Sequence, residues 1–361
     1  MVADRGKITV WLSYSILLLS AGLVCHVLSI PAILDTAGRD GWLSILAAAP
    51  LFLLFILMMY YILRTLQGQR MLDWLESQLG AFPAWVIRIS ASMLLFILGA
   101  HTLYETSFWT VSTYLQFTPI LAIVSLGAFV PMIAACRGIR SIAITSSIIL
   151  PFVLMFGYFV MAANSRYKDY SRLMPMMENG MGPVLHGMIY SLAGLTEIWI
   201  LVFIQHQVNT PFKLWHLLVL AIFMIFMALG PTMSAITVFG PEEAMKQNSP
   251  PFEQWRIVNI GKLLQHVDFL SIYQWLCGSF GRISISMYLI VELLEIRKPH
   301  ARYTSLLIIA VCMATIAMYW WRSDLVYQYM IHIQFPTMLI YVYSLISGLA
   351  FLAFIKRNNK E

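Results

Sequence analysis

Charge is what this sequence has least of. Asp, Glu, Lys and Arg make up 11% of its 361 residues, against 60% hydrophobic residues, and mean hydropathy is +0.77. Soluble domains carry about a quarter charged residues. A soluble globular fold is therefore excluded and a polytopic membrane protein indicated. Cysteine is scarce as well. Cys25, Cys136, Cys277 and Cys312 stand alone, without a CxxC or Cys/His cluster, so neither a disulfide framework nor a metal site is expected. No nucleophile elbow, phosphate loop, HExxH or supported pair of catalytic carboxylates occurs. No enzymatic activity and no cofactor are expected. The net charge of +6 requires no nucleic acid, because basic loops on one membrane face account for most of it. A weakly charged start (Asp4, Arg5, Lys7) leads into an apolar run with no small-residue cleavage pattern, which reads as an uncleaved first helix.

What is present is ten apolar runs, at residues 8–34, 43–63, 84–114, 119–136, 141–163, 183–208, 214–239, 264–294, 303–320 and 325–355. At 1.5 Å per residue each spans most or all of about 30 Å of hydrocarbon. An even number of crossings puts both termini on one side. With the termini inside, thirteen Lys and Arg fall on the cytoplasmic side and eight outside, so both termini are expected to be cytoplasmic. The outer loops include residues 164–182, which are polar, and 240–263. In the latter, Pro250-Pro251 precedes an amphipathic run with Phe252, Trp255, Val258 and Leu263 near one face. Periodicity leaves two placements open for that run, on the membrane surface or over a vestibule as a lid.

The organising stretch is residues 17–42. It begins as an ordinary membrane helix, then places Ser20, Ala21 and Gly22 at mid-membrane, followed by His26, Ser29 and Pro31. Pro31 has no N–H and disfavours helix at Ile30. Irregular backbone at membrane depth is tolerated where it is buried or lines a cavity. Ala21-Gly22-Leu23, followed by Val24 and Cys25, recurs 172 residues later as Ala193-Gly194-Leu195, followed by Thr196 and Glu197. Interrupted segments at matching places in two halves point to a transporter-type binding site. Ala-Gly-Leu is also what close helix packing alone produces.

Ionisable groups at membrane depth cost roughly 2.5–3.5 kcal/mol at a helix centre. They occur here as His101 and Glu105, four apart on the third run, Glu197 on the sixth, and Asp268 and Arg282 on the eighth; the tenth carries His332, Gln334 and Pro336. These positions can converge on one polar interior. Alternatively, Glu105 and Arg282 pair simply to hold helices together. Gly278 and Gly281 admit a close neighbour beside Arg282, which places Arg282 against protein rather than lipid.

With these residues in view, the chain resembles the B subunits of spore germinant receptors, the GerAB-type spore germination permeases of the amino acid–polyamine–organocation transporter superfamily. Three stretches carry the resemblance. Leu28-Ser29-Ile30-Pro31 with Ala37-Gly38-Arg39-Asp40-Gly41-Trp42 is similar to the family's LxLP…AGxDxW. Arg172 to Pro175, then Gly187 and Glu197, is similar to its loop and sixth helix. The most specific is His266 to Trp275, then Gly278 and Phe280 to Ser286. Gln265-His266 departs from the Glu-Arg of many members, so a salt bridge made by that Arg would be missing. The resemblance implies an all-α membrane fold of two inverted five-helix repeats (LeuT-like), here about 8–163 and 183–355, with broken first and sixth helices. It implies partner A and C subunits in a spore inner membrane and recognition of a small nutrient, often an amino acid, that triggers germination. It also implies a lid between the seventh and eighth helices. The nutrient is expected between Ala21, Gly22, Leu23, Val24, Cys25 and Ala193, Gly194, Leu195, Thr196, Glu197, with His101 and Glu105 contributing. Asp268, Gly278 and Arg282 are expected in packing or signalling. A secondary transporter of amino acids or related amines is the alternative.

Overall fold

The long apolar runs leave backbone polar groups no water to bond with, so each closes its hydrogen bonds internally as a helix. A computed structural model describes residues 7–259, 267–320 and 325–358. Among them there is no strand, only an isolated bridge between Ile8 and Val208. The helices are α1 (Val10–Leu23), α2 (Ser29–Ala37), α3 (Gly41–Leu66), α4 (Met71–Leu79), α5 (Ala81–Thr113), α6 (Ile120–Arg137), α7 (Ile139–Ala163) and α8 (Met181–Leu195). They continue with α9 (Leu201–Ile204), α10 (Leu214–Phe239), α11 (Pro241–Lys246), α12 (Pro250–Arg256), α13 (Leu270–Leu293), α14 (Pro299–Trp320), α15 (Leu325–Tyr329) and α16 (Phe335–Asn358).

Nine helical stretches among the described residues are long and apolar enough to cross a membrane. The first, Val10–Leu66, runs for 57 residues, about 85 Å of helix, far more than one crossing needs. It turns at Gly38, whose φ of 54° suits a residue without Cβ, and so supplies two crossings. The ten expected crossings are thus present: α1–α2, α3, α5, α6, α7, α8–α9, α10, α13, α14 and α15–α16. The protein is an all-α, multi-pass membrane protein.

Two crossings form the centre. In the sixth and the eighth, 83% of the most apolar window is buried, against 17–44% elsewhere. Around them α5 packs on α13, α3 on α10 and α6 on α14. The contact of α6 with α13 is matched by that of α14 with α5, and α1 with α7 by α8 with α16. Exchanging the first five crossings for the last five maps each of these pairs onto a pair that is also made.

One end of the bundle is tied by ion pairs that sequence reading did not anticipate. Arg88 of α5 donates to Glu295 (2.9 Å) and to the Leu293 carbonyl at the end of α13 (3.1 Å). Arg70 pairs with Glu292, and Arg302 reaches the same carboxylate at 3.5 Å. The hydrogen bond from Arg88 holds the Glu295 carboxyl below the usual carboxylate range, with Arg88, Arg297 and Arg70 adding attraction.

At the other end, α12 settles the open placement of the amphipathic run over its described residues, up to 259. Trp255 Nε1 donates to Gln274 Oε1 of α13 (2.9 Å), and Gln254 Nε2 to the Pro231 carbonyl of α10 (3.3 Å). Asn164, just past α7, donates to the Gln254 carbonyl (2.7 Å). Phe252, Trp255 and Val258 are buried. The double proline starts α12, where its missing N–H groups cost nothing. The apolar face then packs over the bundle rather than on a membrane surface. Leu263, Gln265 and His266 lie outside the described residues.

Candidate functional site

Both Ala-Gly-Leu tripeptides end an α-helix. Ala21, Gly22 and Leu23 close α1, and the chain continues as a π-helical turn at Val24–Leu28. Ala193, Gly194 and Leu195 close α8, and a 3-10 segment follows at Thr196–Ile200. The breaks are therefore changes of winding, not unwound backbone. Pro31 cannot donate to the Val27 carbonyl. The wide turn ahead of it closes with Ser29 N–H on the Val24 carbonyl, and Ser29 Oγ bonds the Cys25 carbonyl at 3.3 Å. In the sixth crossing Thr196 Oγ1 donates to the Leu192 (2.8 Å) and Ala193 (3.3 Å) carbonyls.

The two segments touch. A Cβ on Gly194 would lie 3.4 Å from Cys25 Sγ and from Ser29 Oγ, so α8 packs flat on the π turn. Gly22 faces elsewhere, with Met227 of α10 at 3.4 Å from its would-be Cβ. Beside this seam Arg282 Nε donates to Glu197 Oε1 (2.7 Å) and Nη2 to Oε2 (3.1 Å). Arg282 Nη1 donates to Thr102 Oγ1 at 2.8 Å. Ser20 Oγ stands 3.5 Å from Glu197 Oε1. The two residues are 1% and 3% exposed. A two-point fork with further hydrogen bonds is the geometry that offsets desolvation of both charges. α13 approaches closely enough because it carries glycines. A Cβ on Gly278 would come 3.0 Å from Leu23 Cβ, and one on Gly281 2.9 Å from Leu19 Cβ.

The expected alternative pairing of Glu105 with Arg282 does not form, because Glu197 occupies the guanidinium. Glu105 instead lies 3.5 Å from His101 Nε2. His101 Nδ1 is 3.3 Å from Gln334 Nε2 and its ring meets Trp320 at 6.1 Å. This cluster faces the ninth and tenth crossings, one residue round α5 from Thr102, and is not brought to the tripeptides. Gln334 ends a second π turn, Met330–Gln334, again just ahead of a proline, Pro336. Asp268 accepts a hydrogen bond from Tyr114 (2.9 Å) beyond the end of α5.

On the far face of the first crossing is a cavity of about 660 Å³ between α1, α7, α10 and α13, covered by α12; its wall includes Gly22, Leu23, His26, Met227 and Trp275. Trp275 stacks on Trp109 at 4.2 Å, with the edge of Phe252 5.2 Å from Trp109. No group of metal-ligating side chains occurs among the described residues.

Residues 11–322 match the family described as spore germination protein, the spore permeases. The chain belongs to that family. It is 37% identical over 346 residues to spore germination protein XB of Bacillus anthracis, covering 96% of this chain and 97% of that protein. It is 20% identical over 258 residues to spore germination protein KB of Bacillus subtilis (strain 168), covering 70% and 69%. This spore permease is accordingly a germination-related, multi-pass membrane protein.

Sequence reading missed the threonines that complete its buried pair. Thr102, Thr106 and Thr110 recur every four residues on α5 and are buried. Thr106 bonds Ser279 as Thr102 bonds Arg282. That polar stripe at helical spacing was the available signal.

Proposed function

We propose that this spore permease is the B-type membrane subunit of a nutrient germinant receptor, seated with A and C subunits in the spore inner membrane with both termini cytoplasmic. It binds a small nutrient, an amino acid foremost, where residues 21–25 meet residues 193–197. The observation that carries this reading is the packing of the end of α8, at Gly194, on the π turn of the first crossing, beside a buried Glu197–Arg282 pair. The matched helix contacts support a division into two repeats, 8–163 and 183–355.

The seam is closed by direct contact at Gly194. A nutrient occupies it by parting the first crossing from the sixth, and that parting is the change a sensor transmits. Binding shifts the equilibrium by the difference in affinity between the parted and closed forms. An amino acid is suited to this role because its carboxylate can replace Glu197 on the Arg282 fork while its ammonium takes Glu197. Asp268 and Gly278 hold α13 in place, and His101 with Glu105 couples the seam to the tenth crossing through Gln334.

The test is thermal stabilisation of the purified chain against a panel of amino acids, sugars and nucleosides. A ligand at a hundred times its Kd adds about 2.7 kcal/mol to the native state. Stabilisation by an amino acid that Glu197→Gln weakens is the expected result. Stabilisation by none of the panel contradicts the reading. The alternative, a secondary transporter of amino acids or amines, is favoured by the repeat-like packing. Saturable uptake into proteoliposomes containing this chain alone would establish it.

A further inference from the structure

The 660 Å³ cavity is separate from the seam and opens sideways. Its outer wall is built from Tyr158 of α7 and Val219, Ile222 and Phe226 of α10, which are 67%, 49%, 50% and 65% exposed. These residues lie inside spans long and apolar enough to cross the membrane, so the medium at the mouth is hydrocarbon. α7 and α10 approach near their outer ends, where Met161 reaches Gly230 (3.3 Å to a would-be Cβ). Below that point the cavity separates them. It extends inward between them to Leu23 and Trp275, both buried, with α12 as its roof.

The chemistry of the wall selects the occupant. Its inner amide, hydroxyl and imidazole groups are already engaged, and the Tyr158 hydroxyl belongs to the exposed outer wall. Gln274 donates to the Val153 carbonyl (2.8 Å) and accepts from Trp255 (2.9 Å). Ser271 Oγ donates to the Asp268 carbonyl (2.6 Å), and His26 Nδ1 reaches the Met227 carbonyl at 3.4 Å. On the buried inner wall the Trp275 indole N–H is left without a partner, and a neutral donor there does not hold a charged or zwitterionic solute. The rest of the wall is aliphatic and aromatic side chains, whose contacts are matched by hydrocarbon. We propose that the crevice between α7 and α10 binds one acyl chain of a membrane phospholipid. The chain lies against Gly22, Leu23 and His26, so that the bilayer touches the back of the same π turn whose front meets α8.

The experiment uses the full chain reconstituted in phosphatidylglycerol carrying a photoreactive diazirine on one acyl chain, with labelled residues mapped by peptide mass spectrometry. The proposal expects label on the inner wall, at Leu23 or Trp275, in addition to ordinary lipid-facing positions such as Ile308 and Val311 of α14. Gly157→Phe places a ring in the crevice, where a Cβ has ordinary clearance (3.6 Å to Gln274 Nε2). It should abolish inner-wall labelling and leave that of α14 unchanged. Label on α14 without label on the inner wall of the wild-type chain overturns the proposal. So does inner-wall labelling that disappears when an amino-acid panel is added, which would give the cavity to the nutrient instead. The first result leaves stabilisation by a nutrient that Glu197→Gln weakens untouched, and only the second also moves the nutrient from the seam, so the two readings fail distinguishably.

Discussion

A lone arginine at the centre of a membrane helix is costly, and Arg282 meets that cost with Glu197 on one edge of its guanidinium and Thr102 on another. Removing one partner strands the other charge, a loss of about 3–5 kcal/mol for a buried pair, whereas apolar residues of similar volume at both positions are often tolerated. Arg282→Leu should therefore lower membrane abundance and melting temperature, and the Glu197→Leu/Arg282→Leu double variant should regain most of the loss. A double variant no better than the single one would show that the two do not act as a unit. Glu295 makes a second residue-level prediction. Its folded-state pKa is depressed from the ordinary 4.5, chiefly by the Arg88 hydrogen bond. Its stabilisation is therefore full above that value and is lost as pH falls through the depressed one. Melting curves of wild type and Glu295→Gln should differ near neutrality and converge in acid, while a gap that widened on acidification would reverse the sign of the argument. That Glu197 and Arg282 needed partners was legible from the sequence, because charge at membrane depth is rare and expensive. Which partners was not. The pair is separated by 85 residues, and helical periodicity orients a residue on its own helix without saying which helix faces it.

The helices themselves were legible to within a few residues, since 20-odd apolar residues admit no other spanning structure. Their winding was not. Pro31 and Pro336 follow π turns, yet Pro50, Pro131, Pro151 and Pro231 sit inside uninterrupted α-helices. Proline is therefore insufficient to predict the irregularity, and the tertiary setting decides it. The short amphipathic α4 and the docking of α12 were likewise beyond periodicity, because an apolar face says that a helix will be covered and not by what. The position of α12 carries a prediction of its own. Lys246, 71% exposed at the end of α11, should label as Lys246→Cys with an impermeant thiol reagent added to intact spheroplasts. Labelling only after permeabilisation would invert the topology and place this segment on the cytoplasmic side.

At the scale of the whole molecule, several packed pairs of crossings recur when the first five are exchanged for the last five, and the sixth and eighth crossings are buried at the centre. One end is fastened by Arg70, Arg88 and Arg302, and the other is roofed by α12. Between those ends lies the seam, where the end of α8 rests on the π turn. Gly194 lies at that contact, and the central claim stands on it. The most direct test is a germination dose–response to amino acids in spores carrying Gly194→Ala or Gly194→Leu at matched protein level. The alanine methyl has ordinary van der Waals clearance from Cys25 and Ser29, so that variant should insert normally, yet raise the half-maximal concentration by filling the seam. The leucine variant should not respond. Half-maximal concentrations equal to wild type in both variants would contradict the account and reduce the paired tripeptides to helix packing.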